Sequence, residues 1–422
     1  MKSYCALFSS LVITAPVLAN EFSLDWDYTL SANTATHRDS LLFGAPVTNT
    51  TETADALLDL QLEGRGLTGL FAAKGNQIYS SDNTQSLEGE LIIQDLFWQG
   101  NVELSGMEID ITLGKVRLDW GVGYGYRPLD VFKPYRRNPV GIQVEEGTGV
   151  AMASYFDMSG EWSLVYSDSS WTQQQGTSLE QAAEQQGIGL RRYALWGDSE
   201  WQVLAYYDDV RRGLFGGSYV TVVNEAWSVH SSALYQHKYL SYVQQGGFTP
   251  VSLQTKDDGY QVLAGLNWAN AAGNTIILEY WYDSRSWSDA EWHNAYSQVA
   301  ALSSQATLKP IATSYAQGLN HANLVQHNVM FHWSLDSSSW SQWSWSKEQL
   351  WLDRLTPTFD VLYSPQDQGV IATQWLDYLV YDSGSASFSA ELAARFMTGD
   401  SDSVYANLND KRMIFLNLRG KF

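Results

Sequence analysis

Basic side chains crowd one short stretch of an otherwise acidic chain. Between Gly114 and Pro139 (GKVRLDWGVGYGYRPLDVFKPYRRNP) stand Lys115, Arg117, Arg127, Lys133, Arg136 and Arg137, against only Asp119 and Asp130. That local balance of +4 sits in a chain whose formal total is −21. Clustered lysine and arginine can bind anions or, arranged as rings of charge, set the ion preference of a pore. With a sequence pI near 4.6, the chain as a whole is not built to bind nucleic acid.

Other chemistry is thin. The seven histidines include His327 and His332, whose five-residue spacing on a strand would point them to opposite faces, so they cannot share a metal. No cysteine or histidine pairing has zinc-ligand spacing, and no metal or other cofactor is expected. There is no Gly-x-Ser-x-Gly elbow and no compact Asp–His cluster, so an enzyme is the least favoured class, though a Ser–His or Asp–His pair on neighbouring strands stays open.

The elements that must position the basic stretch read as β-strands. Phe22, Leu24, Trp26, Tyr28 and Leu30 alternate with Ser23, Asp25, Asp27, Thr29 and Ser31. Period two puts every apolar side chain on one face. The pattern recurs along the chain, with short turns interleaved with longer links: 38–52, 79–87, 120–148, 170–186, 210–213, 239–258, 284–323, 354–368 and 399–410. Eighteen antiparallel strands result, with sixteen as the alternative. A turn is expected at Gly100–Val102, a bulge at Gly114 where the apolar parity slips, and a strand over Gln342–Asp353. Leu355–Ser364 could itself be a strand.

Composition agrees with a single all-β, up-and-down transmembrane barrel over 20–422. Aromatic residues make up 14% of the chain and charged residues only 17%, below the roughly 25% of a soluble domain. No apolar run after residue 19 approaches the length of a spanning helix. Residues 1–19 read as a cleaved export signal, with Lys2, an apolar centre and a Val17-Leu18-Ala19 cleavage site. Cys5, the one cysteine, lies inside that signal. A strand begins directly after it, which leaves no room for the plug domain of a TonB-dependent transporter.

Two resemblances follow. Ile414, Leu416, Leu418 and Phe422 share one parity, and the chain stops at that phenylalanine. Here it resembles Gram-negative outer-membrane proteins, whose last strand ends in an aromatic residue read by the barrel assembly machinery. The basic strand leading into Trp120-Gly121-x-Gly123 and then Pro128-x-Asp130 resembles segments of large porin-like outer-membrane families, over about 25 residues. The resemblances imply an outer-membrane location and contact with lipid and lipopolysaccharide; a homo-oligomer stays open.

The functional expectation is passive diffusion of a small hydrophilic solute, anionic or a sugar acid, past a constriction formed by loop 120–148. Lys115, Arg117, Arg127, Lys133, Arg136 and Arg137 would form a basic wall, with Asp119 and Asp130 beside them. A structured loop that braces the barrel through Arg–carboxylate pairs is the alternative for the same residues. Asp25, Asp27, Asp59, Glu63, Glu108, Asp110, Asp208, Glu279, Asp283 and Glu391 fall at lumen positions, mostly as solvated charges. Asp400 and Asp402, in an outer loop, could hold cations that bridge lipopolysaccharide. Asp289–Ala306 could form a helix, and Trp287, Trp292 and Tyr296 would suit sugar stacking in a polysaccharide docking or export barrel, the second functional class. An enzyme barrel is the third.

Overall fold

The computed structural model describes residues 22–79, 87–132, 141–174 and 176–422. Eighteen antiparallel strands close into one barrel. They are β1 (Ser23–His37), β2 (Thr50–Gly64), β3 (Leu67–Tyr79), β4 (Glu88–Leu104), β5 (Met107–Val116) and β6 (Thr148–Asp157). Next come β7 (Gly160–Asp168), β8 (Gln186–Trp196), β9 (Ser199–Asp208), β10 (Leu214–Asn224), β11 (Trp227–Val243) and β12 (Ser252–Ala269). The last six are β13 (Asn274–Asp283), β14 (His327–Leu335), β15 (Leu355–Tyr363), β16 (Val370–Asp382), β17 (Ser387–Thr398) and β18 (Asp410–Lys421). Each strand pairs with its chain neighbours, and β1 pairs with β18 to close the circle. Closure leaves no unpaired edge, the condition for carrying strands through hydrocarbon. The expected export signal, residues 1–19, lies outside the described residues.

Alternation sorts the two faces. On β7, Trp162, Leu164 and Tyr166 are exposed outward, while Ser163, Val165 and Ser167 are buried within. At the end where the connections are short, outward Trp26, Trp98, Trp162, Trp196 and Trp227 form an aromatic girdle, and Tyr207, Phe215, Tyr260 and Tyr280 sit nearer the other end. Phe422 completes the seam. Its backbone exchanges two hydrogen bonds with Trp26 (3.1 and 2.9 Å), and the two rings stack at 4.3 Å.

Three expectations need correction. The strand expected at Gln342–Asp353 is absent: that segment runs between two short 3-10 turns (Ser337–Gln342 and Leu352–Arg354), and Leu355–Tyr363 is the strand instead. Clustered Trp residues imitate an alternating strand there. Gly100 and Asn101 lie inside β4; the turn is Ser105–Gly106, where both residues adopt positive φ (53° and 78°) as a tight two-residue hairpin requires. Gly114 does take a positive φ of 133°, and a Cβ there would come within 2.3 Å of the Leu96 carbonyl oxygen. The register slip itself falls on β4, between the partners of Leu70 and Phe71, where Gln94 and Asp95 are both buried.

Candidate functional site

The segment after β5 leaves the wall and crosses the lumen. At its root, Lys115 Nζ is paired with Glu146, and both side chains are almost fully buried. Glu146 also accepts from the backbone N–H groups of Gln173 (2.5 Å) and Gln174 (3.0 Å). Arg117 donates its backbone N–H and its Nε to the two oxygens of Asp95 (2.8 and 3.0 Å), and its Nη1 lies 3.7 Å from Glu145. Arg127 donates to the Gly123 carbonyl (2.9 Å) and sits 3.8 Å from Asp130. Asp130 accepts from the Gly121 N–H (2.7 Å); burial pushes its carboxyl up to about 6, against the pull of that bond and of Arg127. Asp119 is exposed. These residues therefore form a braced loop rather than an unpaired basic wall. Lys133, Arg136 and Arg137 lie outside the described residues.

On the far side the loop is held by three sets of contacts. First, Tyr124 and Gly125 donate their backbone N–H groups to the two oxygens of Glu279 (2.6 and 2.7 Å). Glu279 is fully buried on β13, with His230 Nε2 2.7 Å away. Second, the Tyr126 hydroxyl lies 2.5 Å from Gln261 Oε1 and 2.9 Å from Asp283 Oδ2, and its ring stacks on Trp281 at 5.7 Å. Burial and the neighbouring Asp283 hold that phenol well above its ordinary pKa, so it stays a donor. Third, fully buried Leu129 joins Trp120, Val131 and Phe132 in a cluster with Leu204, Tyr206, Leu214 and Leu234 on the inner wall. Gln202 donates to the Trp120 carbonyl (2.5 Å), and Arg191 lies over the Trp120 ring at 5.1 Å.

Two glycines permit this approach. A Cβ on Gly123 would come within 1.9 Å of the Tyr126 carbonyl oxygen, and one on Gly125 within 2.5 Å of Met330 Sδ.

Asp283 is the hub beside the loop. Arg285 grips both its oxygens (2.8 and 2.7 Å), and Asn323 Nδ2 adds a third bond at 2.8 Å. The paired carboxylate raises the Arg285 pKa above its ordinary value despite burial, so the pair stays charged. Two cavities flank this cluster. One of about 670 Å³ is lined by Phe132, Arg211, Gln236, Tyr239, Asp283 and Arg285, among others. The second, of about 260 Å³, is lined by Tyr126, Trp281, Asn323, Asp360, Arg395 and Tyr405, among others. His321 and Ala322 border both.

Above them the link after β13 carries α1 of the mouth (Asp289–Leu302) and α2 (Lys309–Ser314). Ser288 and Glu291 form a reciprocal capping box at the start of α1. Trp287, Trp292 and Tyr296 are buried in a cluster with Tyr242, Val251, Ile371, Met397 and Tyr405. Trp287 and Trp292 also donate to the carbonyls of Tyr242 (2.7 Å) and Leu324 (2.9 Å). That burial corrects the sugar-stacking expectation: the rings hold the helix over the mouth and offer no face to a ligand. Asp402 meets His293 Nε2 at 3.0 Å, tying α1 to the loop between β17 and β18.

Several site residues escaped the sequence reading. Glu279 and Asp283 were placed on the lumen face but as solvated charges; they are buried anchors. Glu146, Arg211, Arg285 and Asn323 were not singled out, although Asp283-x-Arg285 at a strand end is a spacing that allows a side-on ion pair. Among the described residues no three His, Cys, Asp or Glu side chains gather as a metal site.

No family model matches the chain, and no curated protein matches it in sequence. Solved structures do match in shape. OccAB1 of Acinetobacter baumannii superposes with a TM-score of 0.52 at 9% identity, covering 95% of this chain and 97% of its own. OccK5 (OpdH) and OccK8 (OprE) of Pseudomonas aeruginosa each give 0.50, at 8% and 9% identity, covering 95% of this chain and 98% of theirs. The shared feature is the fold.

Proposed function

We propose that the protein is an outer-membrane channel for passive diffusion of small hydrophilic solutes, with the described part of the loop after β5, residues 117–132, at its constriction. The observation that carries this reading is the loop held across the lumen by Glu279, Tyr126 and Leu129, with a cavity on each side of the latch. A barrel of this size is wide enough for an aqueous path, and the shape-matched OccAB1, OccK5 and OccK8 share its fold over 95% of the chain. The larger cavity carries the ion-paired Arg211 and Arg285 beside Asp283, Glu180 and Glu184, so its walls offer both signs of charge to a small hydrophilic solute, a sugar acid among them.

A closed docking barrel is the second reading, favoured by the buried cluster that seats α1 over the mouth. Planar-bilayer recording separates the two. The channel reading expects discrete conductance steps and uptake of small organic acids into liposomes. A silent bilayer, with folded protein confirmed by gel mobility, supports the docking barrel.

A further inference from the structure

The connection between β14 and β15, residues 336–354, is the outlier at the short-turn end. The other connections there span a few residues; this one is a tryptophan-rich excursion, with Trp340, Trp343, Trp345 and Trp351. It is pinned along the barrel rim. The Asp336 N–H donates to the Gly273 carbonyl (2.9 Å) in the neighbouring turn. Trp340 Nε1 donates to the Leu355 carbonyl (2.7 Å), and Arg354 Nη1 to the Val380 carbonyl on β16 (2.9 Å). The Trp343 and Trp345 rings stack, with Trp340 edge-on to both.

One face of this ordered segment has no cover. Trp345 is 66%, Leu350 77% and Trp351 52% exposed. Charged Lys347, Glu348, Asp353 and Arg354 are interspersed with them and also exposed. Pro357 supplies a second observation. It shares the outward parity of Phe359 and Val361, yet it is buried. The bonds to Leu355 and Val380 hold the excursion to the rim of β15 and β16, beside that outward position. It then continues the girdle of Trp26, Trp98, Trp162, Trp196 and Trp227 at the same end of the barrel.

We propose that residues 336–354 seat in the phospholipid headgroup layer of the leaflet at the turn end, with Trp345, Leu350 and Trp351 as the inserted side chains. Tryptophan beside charged residues suits that layer, where the ring is half desolvated and the charges stay wet. The binding partner is phospholipid, and the segment fixes the depth of the barrel on its β13–β16 side. A second copy of this chain or a periplasmic protein would need a different partner surface, and the continuity with the lipid-facing girdle favours lipid.

The test uses one introduced cysteine, since Cys5 in the leader is the chain's own. Leu350→Cys, labelled with an environment-sensitive nitrobenzoxadiazole, is reconstituted in phosphatidylethanolamine–phosphatidylglycerol vesicles, with Ser383→Cys in an exposed turn at the same end as the aqueous control. Lipid seating gives a blue-shifted emission at position 350, quenched by headgroup-region spin-labelled lipid and several-fold less by iodide than at position 383. Equal iodide quenching at the two positions overturns the proposal. Protection from both quenchers, with cross-linked dimers on a gel, also overturns it in favour of a second copy. Gln349→Cys, exposed next door, replaces Leu350→Cys if that chain does not fold. None of these readouts depends on whether the barrel conducts.

Discussion

Replacing Glu279 by alanine removes one anchor of the loop that crosses the lumen. Its two carboxylate oxygens take the backbone N–H groups of Tyr124 and Gly125 at 2.6 and 2.7 Å in a fully buried position. Hydrogen bonds to a charged group contribute about 1.5–3 kcal/mol each. Loss of both removes about 3–6 kcal/mol of docking, before the two amides recover part by reaching lumen water. The contacts of Tyr126 and Leu129 remain, so the loop loosens while the barrel stays folded. A net loss of about 3 kcal/mol raises the undocked population roughly a hundredfold, at 1.36 kcal/mol per tenfold. Hydrogen exchange of the peptide spanning residues 120–130 should accelerate by that order, and single-channel recordings should show larger or more frequent steps. Glu279→Gln keeps one acceptor oxygen and should fall between. Glu391→Ala is the control. It breaks another buried carboxylate cluster, with Asn417 (2.6 Å) and Arg419 (3.0 Å), on the wall away from the loop. It should lower barrel stability and leave loop exchange unchanged. If Glu279→Ala leaves exchange over 120–130 at the level of the unmodified chain, the loop is not held as described.

Two further outcomes follow from the charges at the loop. Lys115→Ala leaves buried Glu146 without its cation, a change that costs about 3–5 kcal/mol; the double change Lys115→Met with Glu146→Gln should cost clearly less than Lys115→Ala alone in urea unfolding. Asp130 has a folded pKa near 6 against an ordinary 3.8, raised chiefly by burial; its contribution to loop stability is present below the unfolded value and lost as pH rises through about 6, on the order of 2–3 kcal/mol in all. Exchange over 120–130 should therefore be slower at pH 4 than at pH 7 after correction for intrinsic rates, and Asp130→Asn should flatten that difference.

The barrel was legible because period-two alternation is a local signal. Ile414, Leu416 and Phe422, or Trp162, Leu164 and Tyr166, show their faces without any partner. The strand count of eighteen held, while one strand moved from Gln342–Asp353 to Leu355–Tyr363. There the alternating residues are Trp and Ser, which satisfy the pattern equally well as a rim segment, and Pro357, which lacks a ladder donor, weakens the strand signal of Leu355–Tyr363. The Ser105–Gly106 turn was missed because serine gives little sign of a positive φ. The charges were located but their state was not. Whether Glu279 is solvated or buried depends on a loop arriving from more than 150 residues away, and no local pattern around Glu279 carries that.

The lumen loop and the mouth segment meet at Asp283. Asn323 donates to Asp283 (2.8 Å), accepts from Trp281 Nε1 (3.0 Å) and takes the Ser286 hydroxyl on its carbonyl (2.7 Å). Ser286 opens the link that carries α1 and Asn323 closes it, so both ends of the lid segment are tied within three residues of Asp283. Asp283 in turn holds the Tyr126 hydroxyl. Lifting α1 therefore strains the same ion-paired carboxylate that latches the lumen loop. Arg285 opposes that strain by gripping both Asp283 oxygens, which keeps the hub charged and oriented whether or not Tyr126 is in place. The two cavities meet the same pair of residues, His321 and Ala322, on the segment that carries α1. The mouth segment and the lumen loop thus share one anchor, Asp283, through its bonds to Asn323 and Tyr126.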